Sequence, residues 1–255
     1  MRILGVDTAT ASASVALWED GEILTDQLGN TVTEVPSPQL RGNHTETLLP
    51  LIDAVLRRAR ITIADLSAIA VSIGPGSFTG LRIGLATVKG IAYDWRLPVV
   101  GISTLLANAT RIKHFDGIIC SLLDARKGEV YIGLFRSSDR IVTRLSPEVV
   151  APIESAIALI RNHFSDGSAL YVIGEGARAY ENVLVRSFGA GLLKSAGDGY
   201  PSVASAVAEL AFEKIGADSV DDLGPLEPVY LRPAEAEKKP KRSFKAAENL
   251  CGKLR

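Results

Sequence analysis

The chain has 255 residues, 47% of them hydrophobic, which sets a prior of one to two domains and supplies apolar side chains for a sizeable core. Its 28 basic and 29 acidic residues nearly cancel, so no net field draws the whole chain onto nucleic acid. Two cysteines, Cys120 in an apolar run and Cys251 near the end, exclude a disulfide framework. An acid at Asp7 interrupts any secretory core, and no run reaches about 18 apolar residues, so a cytoplasmic protein without a membrane partner is expected.

Ile3, Leu4, Gly5 and Val6 lead into Asp7-Thr8-Ala9-Thr10-Ala11-Ser12, and alternating Ala13, Val15 and Leu17 return from it. That pattern predicts two strands joined by a turn of small hydroxyl residues. Glu19-Asp20-Gly21-Glu22 marks a second turn and Ile23 to Leu28 a third strand, giving an antiparallel meander. Residues 32–43 are polar, contain Pro36 and Pro38, and are expected to form a loop. Leu48, Leu49, Ile52, Val55, Leu56 and Ala59 then mark one helical face, with Leu51 beside it and Thr45 as the candidate N-cap. Arg57, Arg58 and Arg60 suit the negative end of that helix dipole.

The stretch from Ala68 to Trp95 organises the rest. A strand (Ala68 to Val71) runs into a loop with Gly74, Gly76 and Gly80, and a helix follows from about Thr79 to Trp95. Glycines at such a junction permit a sharp turn and close approach of another group, and the free N–H groups of the first helical turn could hold an anion. A tight strand-to-helix turn explains the same glycines. Neither nucleotide motif fits, because Lys89 lies deep in the helix and three residues rather than two precede Gly80. Gly84 and Gly90 inside the helix cost about 1 kcal/mol each relative to alanine, so a packing reason is expected, and close contact with another helix would supply it.

Val99 to Ile102 reads as a further strand and Leu105 to Ile112 as a helix. At Gly117 the opening pattern returns: Ile118, Ile119, Cys120, Leu122 and Leu123 lead into Asp124-Ala125-Arg126-Lys127-Gly128, then alternating Val130, Ile132 and Leu134. A helix over 153–164, a strand over 170–173 and Gly174-Glu175-Gly176-Ala177 repeat the order strand, glycine loop, helix. A helix over 201–216 and an extended segment over 225–232 follow. Residues 235–255 carry Lys238, Lys239, Lys241, Arg242 and Lys245 without a core face, and are expected to be a disordered basic tail. The expected division is 1–104, 105–234 and that tail, with the last helix free to pack back on the first part.

Two hairpin-led α/β halves, each with an aspartate at its first turn, resemble the actin, Hsp70 and sugar-kinase superfamily. That resemblance implies an α/β, two-lobed actin-like fold built from duplicated ribonuclease H-like lobes, with mixed sheets flanked by helices. Within it, Gly5-Val6-Asp7-Thr8, His44-Thr45-Glu46-Thr47-Leu48-Leu49-Pro50, the run from Gly74 to Gly84, Asp124-Ala125-Arg126 with Glu129-Val130-Tyr131, and Pro228-Val229-Tyr230-Leu231-Arg232 resemble the TsaB family of tRNA threonylcarbamoyladenosine biosynthesis proteins.

The family implies a non-catalytic subunit that dimerises with itself and pairs with a TsaD-type paralogue, joined by a TsaE-type ATPase. The paralogue transfers threonylcarbamoyl to N6 of adenosine 37 in tRNAs reading codons that begin with A, and tRNA is met only through the complex. It further implies a helical interface from the two first-lobe helices, with Leu48, Leu49, Ile52, Leu56, Gly80, Ile83, Gly84, Ala86, Thr87 and Gly90 as expected contacts. The catalytic paralogue carries a metal-binding histidine pair four residues apart; here His44, His114 and His163 stand alone, so no metal or cofactor is expected.

Asp7, Thr8 and Asp124 are candidates to orient a metal-bound nucleotide, as carboxylates do in kinases of this superfamily. The simpler reading is that such residues close their own hairpin turns. The alternative function is accordingly a stand-alone ATP-dependent small-molecule kinase. A peptidase is not expected, because Ser77 has no histidine near it in sequence.

Overall fold

Alternating apolar residues and a left-handed pair at Asp20 and Gly21 turn the start of the chain into a meander of β1 (Arg2–Asp7), β2 (Ser14–Glu19) and β3 (Glu22–Leu28). The computed structural model describes residues 1–28, 44–164, 169–189 and 200–232. The loop expected over 32–43 and the tail expected over 235–255 lie outside them. After the meander come α1 (His44–Ala59), a short 3-10 turn (Ile63–Asp65), β4 (Ala68–Gly74), α2 (Phe78–Trp95), β5 (Val99–Ser103) and α3 (Thr104–Thr110). The second half runs β6 (Gly117–Arg126), β7 (Glu129–Ser138), β8 (Ile141–Arg144), β9 (Val149–Pro152), α4 (Ile153–His163), β10 (Leu170–Ile173), α5 (Glu175–Ala179), α6 (Glu181–Phe188) and α7 (Val203–Gly216).

The first sheet has the order β3-β2-β1-β4-β5, antiparallel through the meander and parallel from β1 to β5. β1 and β4 are apolar on both faces because helices cover both. Leu4, Val6, Ile69 and Val71 pack with Leu51, Val55, Leu85 and Val88 of α1 and α2. Ile3, Ala68 and Ala70 pack with Val203, Val207 and Ala211 of α7, which therefore lies on the first sheet although it is the last of the described helices. Ser202 caps α7, its hydroxyl accepting the Ser205 N–H at 3.2 Å.

The second sheet has the order β10-β6-β7-β8, with β9 also pairing β7. β6 and β7 form an antiparallel hairpin and β10 runs parallel to β6, so β6, β7 and β10 stand where β1, β2 and β4 stand in the first sheet. Two mixed sheets flanked by helices, each led by a hairpin ending on an aspartate, are the two-lobed actin-like architecture.

Three elements differ from expectation by being present at all: β8, β9 and α6. The phase of α1 differs too. Its helix begins at His44, which places Thr45 inside the first turn, and Leu51 rather than Leu49 is buried. Leu49 is 58% exposed. Among the described residues no helix is long and apolar enough to cross a membrane.

Candidate partner interface and inter-lobe site

β1 ends on Asp7, whose side chain is fully buried. Its Oδ1 accepts the Ala9 N–H at 3.2 Å and its Oδ2 accepts the Thr10 hydroxyl at 2.6 Å, so the carboxylate closes its own turn. Thr8, equally buried, donates its hydroxyl to the Gly80 carbonyl at 2.7 Å and so ties this turn to the start of α2. The glycines of the central stretch follow from that seat. A Cβ on Gly80 would lie 1.9 Å from the Thr8 carbonyl oxygen, one on Gly84 2.2 Å from the Thr8 hydroxyl, and one on Gly76 2.4 Å from the Ala9 carbonyl oxygen. Gly74 combines a φ of 120° with a Cβ position 2.5 Å from the Val229 carbonyl oxygen. The chain's own backbone therefore fills the loop. Ser77 donates its N–H to the Ala9 carbonyl at 2.8 Å and accepts the Gly80 N–H on its hydroxyl at 3.1 Å, which engages donors an anion would need. The tight-turn reading replaces the anion cradle.

His44 sits against the same turn. Burial holds its imidazole below the ordinary histidine value, opposed by Asp7 and by a hydrogen bond with the Thr10 backbone. Asp124 repeats the turn closure at the end of β6, its Oδ1 accepting the Arg126 N–H at 2.8 Å. Positive φ at Arg126, Lys127 and Gly128 completes that hairpin. Between the halves lies a carboxylate that sequence reasoning missed. Glu175, at the start of α5, accepts the Ala11 N–H across the gap. Burial pushes its carboxyl above the ordinary range, the Ala11 N–H and Arg126 oppose the shift, and Asp7 and Asp124 add to it. The structure thus brings Asp7 and Asp124 within electrostatic reach of one side chain, while Thr8 is turned into the α2 contact. Among the described residues no group of three His, Cys, Asp or Glu side chains is arranged to hold a metal ion.

Half of the expected interface residues are spent inside the chain. Leu48, Ile52 and Leu56 are 1%, 4% and 7% exposed in the first core, because the apolar run of α1 turns them toward the sheet. Gly80 and Gly84 are covered by Thr8, so the packing reason expected from a neighbouring helix is supplied by the hairpin turn instead. What faces outward is Leu49 of α1 with Ala86 and Gly90 of α2, Ile83 and Thr87 being half-buried. Among the described residues a Cβ on Gly90 would meet nothing within 4 Å. Tyr93 continues that face at helical spacing and is 82% exposed. An interior helical glycine costs about 1 kcal/mol, and at Gly90 no described residue offsets it.

Residues 35–217 match the family model described as TsaD: tRNA N6-adenosine threonylcarbamoyltransferase. The tRNA threonylcarbamoyladenosine biosynthesis protein TsaB of Escherichia coli (strain K12) is 32% identical over 246 residues, covering 94% of this chain and 98% of the relative. The chain belongs to the TsaB family. The TsaB protein of Bacillus subtilis (strain 168) is 29% identical over 240 residues, 94% of this chain and 97% of the relative. A solved structure of an uncharacterized Pseudomonas aeruginosa protein with similarity to peptidase YEAZ superposes with a TM-score of 0.71 at 26% identity, covering 91% of this chain and 99% of that one. YeaZ from Pseudomonas aeruginosa gives a TM-score of 0.72 at 24% identity, covering 90% and 99%. In this TsaB-family chain the Ser77 hydroxyl serves as the N-cap of α2. His44 lies on α1, His114 after α3, and His163 at the end of α4, where its Nδ1 contacts the Leu159 carbonyl at 3.0 Å.

Proposed function

We propose that this chain is a non-catalytic subunit of the machinery that places threonylcarbamoyl on N6 of adenosine 37 in tRNAs reading codons that begin with A. It binds and activates a TsaD-type transferase together with a TsaE-type ATPase, in the cytoplasm, and meets tRNA only through that complex. The observation that carries this reading is the outward face of α2. Gly90, with open space where its side chain would be, lies between Ala86 and the exposed Tyr93, and lets a second helix approach closely. The match to a TsaD model over most of the chain supports a paralogue of the same fold as occupant. A second copy of this chain would use the same face in an isologous dimer, so homodimer and heterodimer compete for it. The closure of Asp7 and Asp124 on their own turns supports a subunit that leaves the chemistry to its partner.

Reconstitution of the adenosine modification from purified subunits tests the proposal. The modification is expected to stall when this chain is omitted and to resume when it is added. Full-rate modification without it would overturn the reading.

A further inference from the structure

After α7 the chain does not end at the first sheet. Leu226 enters the first core at 8% exposure, and the Lys89 ammonium of α2 holds the Gly224 carbonyl at 3.0 Å. Val229 donates its N–H to the Ile73 carbonyl at the end of β4, at 2.6 Å, and its own carbonyl occupies the space that makes Gly74 a glycine. Tyr230 then stacks on Phe78, with ring centroids 4.9 Å apart, and accepts the Arg82 Nε–H at 3.0 Å. The Arg82 guanidinium lies 3.8 Å above the Phe78 ring. Two residues later the chain has crossed to the other half. Arg232 donates to the Ala125 carbonyl at 3.1 Å and forms an ion pair with Glu129 at 3.0 Å, outside hydrogen-bond angles, its side chain only 19% exposed.

We propose that residues 224–232 are a latch between the halves: their first part is fixed to β4 and α2, and Arg232 clamps the β6–β7 turn, so release of Arg232 lets the lobes move apart. The asymmetry of the two ends supports this. The first-half end combines apolar burial, a backbone hydrogen bond and an aromatic contact, whereas among the described residues the second-half end rests on one side chain. The weaker end opens first. Elsewhere the described contacts between the halves include the Ala11 N–H on Glu175, the Ser103 hydroxyl on Glu148 at 2.5 Å, and, beside α3, Arg111 donating to the Pro201 carbonyl at 2.6 Å and the Lys113–Glu209 ion pair with α7, so the α3–α7 contact is the joint that stays closed when the latch opens. Because the anchored end grips the first turn of α2, the latch sets the angle between that helix and the second sheet. This inference concerns the isolated chain and stands apart from the choice of partner.

The test uses the full chain with Cys251→Ser and spin labels at Glu22→Cys and Ile141→Cys, one exposed position on each sheet, while Cys120 stays buried and unreactive. Distances between labels are measured by double electron–electron resonance, and hydrogen exchange by mass spectrometry follows the peptide over 225–231. Arg232→Ala is expected to broaden the distance distribution toward longer values and to speed exchange of that peptide at least about tenfold, with α7 unchanged. An unchanged distance distribution in folded Arg232→Ala overturns the latch, even if exchange quickens, because the segment would then only cover the surface locally. Should Arg232→Ala not fold, Glu129→Gln removes the ion pair and keeps the Ala125 contact. A broadened distribution there supports the latch, and an unchanged one overturns it.

Discussion

Two glycines on one helix, six residues apart, are expected to respond in opposite directions to the same methyl group. Gly84→Ala and Gly90→Ala each gain about 1 kcal/mol of intrinsic helix propensity. At Gly90 nothing stands within 4 Å of the new Cβ, so most of that gain survives and the variant is expected to be more stable by about 0.5–1 kcal/mol. At Gly84 the Cβ would lie 2.2 Å from the Thr8 hydroxyl, which is fully buried and bonded to the Gly80 carbonyl at 2.7 Å. Turning Thr8 aside leaves a buried hydroxyl without its acceptor, at about 1–3 kcal/mol, and shifting the turn instead costs a similar about 1–3 kcal/mol of overpacking. Less the helix gain of about 1 kcal/mol, Gly84→Ala is expected to lose about 0–2 kcal/mol. Urea unfolding followed by tryptophan fluorescence, with Trp18 buried at 7% exposure, measures both variants. Repeating it at several protein concentrations separates folding from self-association. A Gly84→Ala protein stabilised as much as Gly90→Ala would refute the seating of the first hairpin turn on α2.

A bulky side chain at Gly90, as in Gly90→Leu, is expected to leave the monomer folded and to weaken capture of a TsaD-type partner and self-association in size-exclusion profiles; unchanged profiles would remove this face from the interface. Asp7→Ala strands the Ala9 N–H and leaves the Thr10 hydroxyl only the Ser12 carbonyl at 3.2 Å, and is expected to cost about 1–3 kcal/mol in urea unfolding, with no change pointing to other support for the turn. Glu175, raised by burial, binds more protons folded than unfolded, so its contribution is present below about pH 4.3 and lost as pH rises through the folded value. Glu175→Gln keeps an acceptor for Ala11 and cannot ionise, so its melting temperature should gain on wild type as pH rises; parallel curves would refute the shift. His44, lowered by burial, gives the opposite slope, and His44→Gln is expected to lessen the loss of stability as pH falls below about 6.5, again read from melting temperatures.

The opening meander, the strand, loop and helix at the centre, and the return of the hairpin at Gly117 were legible because each pairs a clear period with its own turn residues. The face of α1 was not. Leu48, Leu49, Leu51 and Ile52 crowd one turn, and an unbroken apolar run leaves the phase of a helix undecided until a sheet selects a side. β8 and β9 were missed because their residues are mostly exposed or half-buried and show no alternation. Gly80 and Gly84 do mark a close approach, Gly90 meets none among the described residues, and no sequence spacing says what approaches. At Gly80 and Gly84 it is Thr8, more than seventy residues earlier in the chain. Glu175 carried no signal for the same reason, since its meaning comes from the Ala11 N–H that it meets across the gap.

The seat of α7 on the first sheet bears on how the polypeptide is made. β1 is synthesised before α7, and the surface formed by Ile3, Ala68 and Ala70 stays uncovered until Val203, Val207 and Ala211 have been made. The first sheet therefore waits for the whole second sheet to be made before this face can shed its water, and a nascent fragment stopping short of α7 offers bare apolar strands to chaperones. A chain cut after β5 would part the first sheet from the helix that covers this face.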